Sequence, residues 1–388
     1  MRLIILNTLR RNGQIMSVIN QFIKKPLRKK DIFILNLIRI SICQILFLDI
    51  KEYSIVNTAV QIAKNYKLDK FINGLLRNIC RNKKEINENL KLETNIPKWI
   101  KNDIKNNLGV NTLRKISSSI ICEPYLDIKI KKDNLQKINW EEVLDGKLIL
   151  NDLIRVKNEG YIEDKPFFKD GFWWVQNFTA TLPVRLINSI FDKVDKNKVA
   201  ILDVGAAPGG KSFQLIEDNF NVTSIDISER RVKRFKENLI RLNLKTEIIC
   251  KDFFEHKFNK LFDCILLDAP CSASGLIQKK PEILVHNKKA NLEKLISKQE
   301  RMLNHASSLL KVGGHIIYCV CSILSNEGNN QIRNFLKHNN NFKTVNFDER
   351  ISKYGKTLAK GMLLVTPDEQ KIKGGVDGFF ISIIKKVE

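Results

Sequence analysis

From Met1 to about Lys91 apolar residues recur at spacings of three and four, glycine is scarce and Pro26 is the only proline. That period puts the apolar side chains on one face of successive helices, so a small helical bundle is expected. Its most apolar stretch, Ile32 to Ile50, is interrupted by Asn36, Arg39, Gln44 and Asp49 and reads as a buried helix of that bundle, not a membrane span. Pro97 opens a second region, running to about Phe172, with strand-like pieces such as Tyr125 to Ile130. After Trp173 the texture changes. Val199 to Val204, Val222 to Ile225, Glu247 to Cys250, Cys264 to Leu267 and Ile316 to Val320 are short β-rich runs, and helical patterns such as Glu229 to Leu242 and Lys288 to Leu310 separate most of them. This alternation predicts a doubly wound, Rossmann-like α/β sheet. A last pair, Thr344 to Phe347 and Phe379 to Ile384, is expected to form an antiparallel hairpin at the sheet edge. The expected division is an all-α bundle over residues 1–92, a small mixed α/β module over 93–172 and the α/β domain over 173–388.

A chain of 388 residues accommodates that many domains. Its 66 Lys and Arg against 42 Asp and Glu give a net charge of +24, a surplus of the sign that attracts phosphate backbones, which makes nucleic acid the first partner to consider. A Lys-, Asn- and Ile-rich composition produced by an AT-rich genome would give the same surplus without selection for binding. The eight cysteines lack the dense spacing of a secreted disulfide framework, so a reducing cytoplasm is expected. No CxxC pair is present, and no metal site is expected. The opening MRLIILNTLRRNG is too short in its apolar run for a signal peptide. Nothing in the sequence demands more than a monomer.

The run ILDVGAAPGGKS, residues 201–212, is an apolar strand, a glycine-rich turn and a helix start. Gly205, Gly209 and Gly210 allow the backbone to pass close to a ligand, and with Ala206, Ala207, Pro208 and Lys211 they make the expected cofactor loop. A glycine-rich turn alone serves dinucleotide enzymes equally well. Here Asp226 closes the next strand, placed to accept hydrogen bonds from ribose hydroxyls. Asp252 ends the third strand, within reach of an adenine, and Asp268 ends the fourth. With Asp203 these make four acidic strand ends, which suit the cationic sulfonium of S-adenosylmethionine better than a diphosphate. Each aspartate singly could be no more than a turn or helix-capping residue.

The fourth strand runs into DAPCSASG, residues 268–275, and the fifth into YCVCS, residues 318–322. Residues past the carboxyl ends of neighbouring strands converge on one crevice, so Cys271 and Cys321 are expected to face each other there. Carbon 5 of a pyrimidine is a poor nucleophile until a thiolate adds to carbon 6, and a second acid/base group helps product release. Two cysteines and Asp268, which could bind the N3/N4 edge of cytosine and exclude uracil, meet those needs. Lys211 is a candidate for lowering a neighbouring thiol's pKa. Cys43, Cys80, Cys250, Cys264 and Cys319 read as inert core residues. Which of Cys271 and Cys321 attacks is left open by the residues themselves; a Pro-Cys nucleophile of the kind found in DNA C5 methyltransferases would be Cys271.

AAPGGK at 206–211, DAPCSASG at 268–275, CS followed by SNEGNNQI within 321–332, and DGFF at 377–380 together resemble the NOL1/NOP2/Sun family of RNA cytosine-C5 methyltransferases, specifically its bacterial rRNA branch, the Sun/Fmu (RsmB-type) enzymes. The resemblance covers nearly the whole chain. It implies S-adenosylmethionine as cofactor, Cys321 as nucleophile, Cys271 in product release, and an unpaired cytosine of small-subunit rRNA as substrate. IVNTAVQIAKNY at 55–66 and KFINGLLRNI at 70–79 resemble the NusB-like RNA-binding bundle of the same branch. Against the family pattern Gly205 stands for a Cys, Val320 for a Thr and Asn177 for an Asp, and the bundle begins late. The competing readings are a tRNA-directed enzyme and a noncatalytic rRNA-binding assembly factor.

Overall fold

The computed structural model describes residues 1–25, 27–28, 31–286, 289–368 and 374–388. Pro26 and Lys288, used above in delimiting helices, lie outside them. Two compact units divide the chain, Met1–Cys122 with Ile277–Asn287, and Glu123–Leu276 with Lys288–Glu388.

The first unit is helical throughout its opening segment, with helices Arg2–Arg10, Asn12–Phe22, Ile32–Phe47, Glu52–Lys64, Asp69–Arg81, Lys83–Asn89, Lys98–Leu108 and Val110–Ile120. In Ile32–Phe47 the residues Ile34, Ile38, Ile42 and Ile45 are buried while Asn36 faces solvent, and in the second half Ser41, Cys43 and Leu46 are buried as well, so the helix is covered on nearly all sides there, as its apolar sequence required. Each such isoleucine contributes about 1.5–3 kcal/mol by leaving water. Glu52–Lys64 presents Ile55, Val56, Ala59 and Ala63 to the same core, and Asp69–Arg81 presents Ile72, Leu75, Leu76 and Ile79. No helix among the described residues is long and apolar enough to cross a membrane. Gly13 permits a close approach: a Cβ there would lie 1.9 Å from the Thr94 carbonyl oxygen. The contact is sealed by Asn95, whose Oδ1 accepts from the Gln14 amide at 2.9 Å and whose Nδ2 donates to Gln14 Oε1 at 2.9 Å.

In the second unit a four-stranded antiparallel sheet comprises β1 (Leu126–Ile130), β2 (Gly146–Leu150), β3 (Leu153–Val156) and β4 (Trp173–Val175), in the order β2-β3-β1-β4. Asp127 on β1 is buried against Arg155 on β3, with Nε–Oδ1 at 2.6 Å, and also accepts from the Phe178 amide and from Asn177 Nδ2. Asn177 at the same time caps helix Phe178–Ile190 through the Thr179 amide. Asparagine suits this position because an aspartate would set a second carboxylate against Asp127.

The large sheet follows with β5 (Ala200–Val204), β6 (Asn221–Asp226), β7 (Glu247–Cys250), β8 (Phe262–Asp268), β9 (Leu310–Val320), β10 (Phe342–Thr344), β11 (Lys356–Ala359), β12 (Met362–Val365) and β13 (Phe379–Lys386). Its order is β11-β12-β13-β9-β8-β5-β6-β7, with β10 also paired to β13. The strands from β7 to β9 run parallel and β13 is antiparallel to β9. This is the expected Rossmann-like sheet. Helix Glu229–Leu242 lies where expected and closes on Asn243 in the left-handed region at φ 50°. The other long helix ends at Ser308, because β9 starts at Leu310 and is much longer than the run Ile316 to Val320. The C-terminal hairpin needs correction. The antiparallel pairing with β13 runs over residues 342–344, with one further bond from the Val345 amide to the Ile383 carbonyl at 3.1 Å, so it starts earlier and ends sooner than expected, and β13 is an interior strand flanked by β9 and β12. The added strands β11 and β12 turn on Lys360-Gly361, with Gly361 at φ +65°.

Candidate functional site

Strand order reverses between β5 and β8, the switch point where an open α/β sheet leaves a crevice at the carboxyl ends of its strands. A cavity of about 250 Å³ lies there. Its wall includes Gly205 after β5, Asp226 at the end of β6, Asp252 after β7, Asp268 and Cys271 after β8, and Cys321 after β9. A larger cavity of about 600 Å³ contains none of the residues singled out above, and several of its charges pair with one another, as in Lys129–Asp152 at 2.9 Å and Arg185–Asp152.

Gly205 works through its backbone: its amide donates to the Ile225 carbonyl at 3.0 Å and its φ is +77°. A Cβ there would come 2.5 Å from the Asp268 carbonyl oxygen, so a larger residue requires the turn to shift. Ala206, Ala207, Pro208, Gly209 and Gly210 complete the turn into helix Gly210–Glu217 without lining the cavity; Ala206 and Ala207 are buried. Asp226 is 4% exposed; its Oδ2 accepts from the Ala207 amide at 3.1 Å and its Oδ1 from the Ser228 amide at 2.9 Å. Arg231, which also lines the cavity, sits 3.3 Å from Asp226 and donates to the Ala207 carbonyl. Asp252 faces the cavity and also accepts from the Phe254 amide at 2.9 Å, so it is a turn residue as well. Asp203 is different: it is fully buried, bonds the Ser212 hydroxyl and does not line the cavity. Burial raises its pKa to about 6. Three of the four strand-end carboxylates therefore share the crevice.

Lys211 meets a carboxylate, not a reactive thiol. Its Nζ is 2.7 Å from Asp268 Oδ2; burial is the largest single influence and opposes the ammonium, but the charges of Asp268, Cys319 and Asp203 and the hydrogen bond to Asp268 together raise the Lys211 pKa. Cys319, the thiol on which that ammonium acts, is buried with its Sγ 3.9 Å from Asp268 Oδ1, and burial followed by Asp268 keeps its pKa well above the usual thiol value. Cys43 and Cys264 are buried as expected, Cys80 is half-buried, and Cys250 is exposed because it ends the edge strand β7.

Cys271 and Cys321 are both half-buried, and their Sγ atoms lie 3.2 Å apart. The hydrogen bond to Cys321, then burial, then the charges of Cys321 and Glu327 hold the Cys271 pKa well above the usual thiol value. Val320, before Cys321, is fully buried and pairs with Phe380. Sequence reasoning missed Glu327, a carboxylate with no exposure that lies in the quoted run SNEGNNQI. It also missed Arg231 and the apolar cavity wall of Phe253, Phe254 and Met302. A lone glutamate in a polar loop gives no sign of burial; only the neighbouring serines after each cysteine could have drawn attention to it.

Comparison with known proteins adds to this geometry. The model of the family "16S rRNA methyltransferase RsmB/F" matches residues 190–385, and that of the NusB family matches residues 1–81. The chain is 30% identical to ribosomal RNA small subunit methyltransferase B of Shewanella oneidensis over 329 residues, covering 80% of this chain and 75% of that protein. It is 29% identical to the protein of the same name from Photorhabdus laumondii, covering 95% and 86%. Among solved structures, that of PH0851 superposes with a TM-score of 0.76 at 22% identity, over 99% of this chain and 89% of the other. NSun6 from Pyrococcus horikoshii, solved with SFG, gives 0.63 at 17% identity, over 76% and 99%. At these identities the structures speak for the fold.

Proposed function

Because the chain belongs to the 16S rRNA methyltransferase RsmB/F family, with a NusB-family segment at its front, we propose that it methylates carbon 5 of an unpaired cytosine in small-subunit rRNA through a covalent cysteine adduct. The observation that carries this reading is the pair of thiols 3.2 Å apart at the switch-point cavity, next to Asp268.

The cofactor is S-adenosylmethionine, and the site's chemistry suits it: Asp226, Asp252 and Asp268 bring carboxylates to a crevice whose wall also holds Phe253, Phe254 and Met302, beside the cations Arg231, Lys251 and Lys298. When bound, it supplies an electrophilic methyl group. Asp226 would hold the ribose hydroxyls and Asp252 would face the adenine, with the turn from Gly205 to Lys211 shaping the wall.

Cys321 Sγ adds to carbon 6 of the cytosine, and the electron pair displaced from the C5–C6 bond makes carbon 5 nucleophilic. Once carbon 5 carries the methyl group, its proton leaves, the Sγ–C6 bond breaks and Cys321 returns as thiolate. Cys271, within contact of Cys321, takes up that proton: once Cys321 is bonded to carbon 6 it no longer presents a charge to Cys271, whose thiol gives its own proton to solvent and becomes the base of the elimination. Asp268, held by Lys211, accepts from the exocyclic amine of cytosine and disfavours uracil, which has a carbonyl there. A base buried in an A-form stem cannot enter such a crevice, so the substrate is a loop nucleotide flipped into the site. The enzyme acts as a cytoplasmic monomer in this reading.

The test is transfer of labelled methyl from S-adenosylmethionine into separate pools of unmodified small-subunit rRNA and tRNA, with bisulfite sequencing to locate 5-methylcytosine. A single rRNA site is expected. Label confined to tRNA would reject the substrate, and label at a base other than cytosine, or none, would reject the chemistry.

A further inference from the structure

Glu327 lies in the loop after β9, without exposure to solvent, and its carboxylate is fully engaged. Oε1 accepts from the Ser272 amide at 2.7 Å and from Gln299 Nε2 at 3.0 Å; Oε2 accepts from the Ser272 hydroxyl at 2.5 Å and from the Ser322 hydroxyl at 2.6 Å. Ser272 directly follows Cys271 and Ser322 directly follows Cys321. One carboxylate therefore holds the residue after each cysteine, across a separation of 50 positions in the chain. Gln299 extends the tie, since the same Nε2 reaches the Pro270 carbonyl at 2.9 Å, on the other side of Cys271.

Nothing else in these loops explains a buried carboxylate. Removing a charge from water is costly unless hydrogen bonds replace the lost hydration, and here four do so, all from the two cysteine segments or the helix beside them. Past Asp268 the Cys271 loop leaves the strand ladder after one further bond, from the Ala269 amide to the Cys319 carbonyl at 3.1 Å. Its tie to the Cys321 segment includes this carboxylate, a Gly275 amide to Cys321 carbonyl bond at 3.1 Å, an Ile323 amide to Ser274 Oγ bond at 3.1 Å, and contacts among Ser272, Ser274 and Ser322.

We infer that Glu327 is a positioning residue of the methyl-transfer site: by clamping Ser272 and Ser322 it sets the distance between the Cys271 and Cys321 sulfurs. The inference rests on the two-cysteine reading given above. The carbon-5 proton reaches Cys271 while Cys321 is bonded to carbon 6 only if that spacing is kept, and displacing a reacting group by about 1 Å costs on the order of a hundredfold in rate.

The two substitutions Glu327→Gln and Glu327→Ala separate geometry from charge. Glutamine keeps an acceptor for the Ser272 amide and Gln299, and its NH2 can donate to the two serine hydroxyls, which rotate to accept. Glu327→Ala removes all four bonds. The expected result is a fall in kcat of about a hundredfold in Glu327→Ala, an unchanged KM for S-adenosylmethionine, and recovery to within about tenfold of the wild type in Glu327→Gln. A second readout needs no methyl transfer. Phenylarsine oxide bridges two thiols that can reach one arsenic, with release of water, and the bridged form resists displacement by excess monothiol. Wild type and Glu327→Gln should retain the arsenical, while Glu327→Ala should lose it as readily as a Cys271→Ala reference. Should Glu327→Ala fail to fold, the double variant Ser272→Ala/Ser322→Ala removes the hydroxyl arms and should show the same two losses. Wild-type turnover or wild-type arsenical retention in the variants lacking the clamp would overturn the inference, as would a Glu327→Gln enzyme as impaired as Glu327→Ala. Failure of wild-type protein to methylate rRNA cytosine would instead sink the functional reading, and the arsenical result would still report on the clamp.

Discussion

Replacing Lys211 by Met tests the electrostatics of the site where its consequences are largest. Lys211 Nζ and Asp268 Oδ2 are 2.7 Å apart, with side chains 13% and 28% exposed. At that distance, with an effective dielectric constant of about 20, the attraction is about 6 kcal/mol. Desolvation and the remaining exposure of Asp268 offset more than half of it, leaving an expected coupling of about 2–3 kcal/mol. Lys211→Met leaves the Asp268 carboxylate without its cation, and Asp268→Asn leaves a half-buried ammonium without its anion, so each single change should cost about 2–3 kcal/mol. The double change removes both charges and should cost little more than either alone. Urea unfolding followed by tryptophan fluorescence measures this well, because Trp140, Trp173 and Trp174 all belong to the second compact unit and Trp99 to the first. A coupling below about 0.5 kcal/mol in the double-mutant cycle would show that the pair contributes nothing beyond a surface contact, and the reasoning would be wrong.

Other outcomes follow from the same geometry. Cys321→Ser should abolish methyl transfer while leaving S-adenosylmethionine binding unchanged, and Cys271→Ala should accumulate a covalent protein–RNA adduct visible on denaturing gels; turnover by the first or clean release by the second would reverse the roles. His315 is buried, with Nδ1 lacking a partner among the described residues, and burial together with Lys385 lowers its pKa to about 4. The unfolded chain takes up that proton near pH 6.5, so stability should be complete above about 6.5 and fall by up to about 2–3 kcal/mol as the pH drops towards 4, a slope that His315→Asn should flatten in urea titrations. Lys70, Arg77 and Arg81 lie on the exposed face of helix Asp69–Arg81. Changing all three to Gln should reduce the salt slope of rRNA binding by about 2–3 in log–log form and leave kcat at saturating RNA unchanged; an unaltered slope would place phosphate contacts elsewhere.

The parallel strands were legible because each is a local apolar run closed by turn residues, and Asp226, Asp252 and Asp268 follow from where such runs stop. The convergence of Cys271 and Cys321 followed in turn from strand topology. What was not legible depends on distant partners. Strands β2 and β3, only five and four residues long, pair across a short turn and have little period to read. The hairpin of β11 and β12 had a turn signal in Lys360-Gly361, yet its apolar run reads as loop until β13 is known to lie beside it. Asp203 looks like its three counterparts in sequence and differs only by pointing at Ser212. Charge shows the opposite case: residues 1–122 carry 23 Lys and Arg against eight Asp and Glu, an asymmetry that any count along the chain reveals and that matches the NusB-family segment.

The order of the two cysteines is the instructive limit, since identical side chains must be told apart by surroundings alone. Two sulfurs 3.2 Å apart do not both ionise, because like charges at that distance repel strongly, so when one of them is the thiolate the other keeps its proton. Every large influence on Cys271 favours its holding that proton: the hydrogen bond to Cys321, burial, and the buried Glu327 carboxylate beneath its loop. Cys321, at the end of β9, is then the sulfur free to attack, the order proposed here and the reverse of the one suggested by a Pro-Cys sequence. The distinction resides in the contact with Cys321 and the burial of the Cys271 loop, with Glu327 adding to both, which is why the residues around each cysteine, read one segment at a time, left it open.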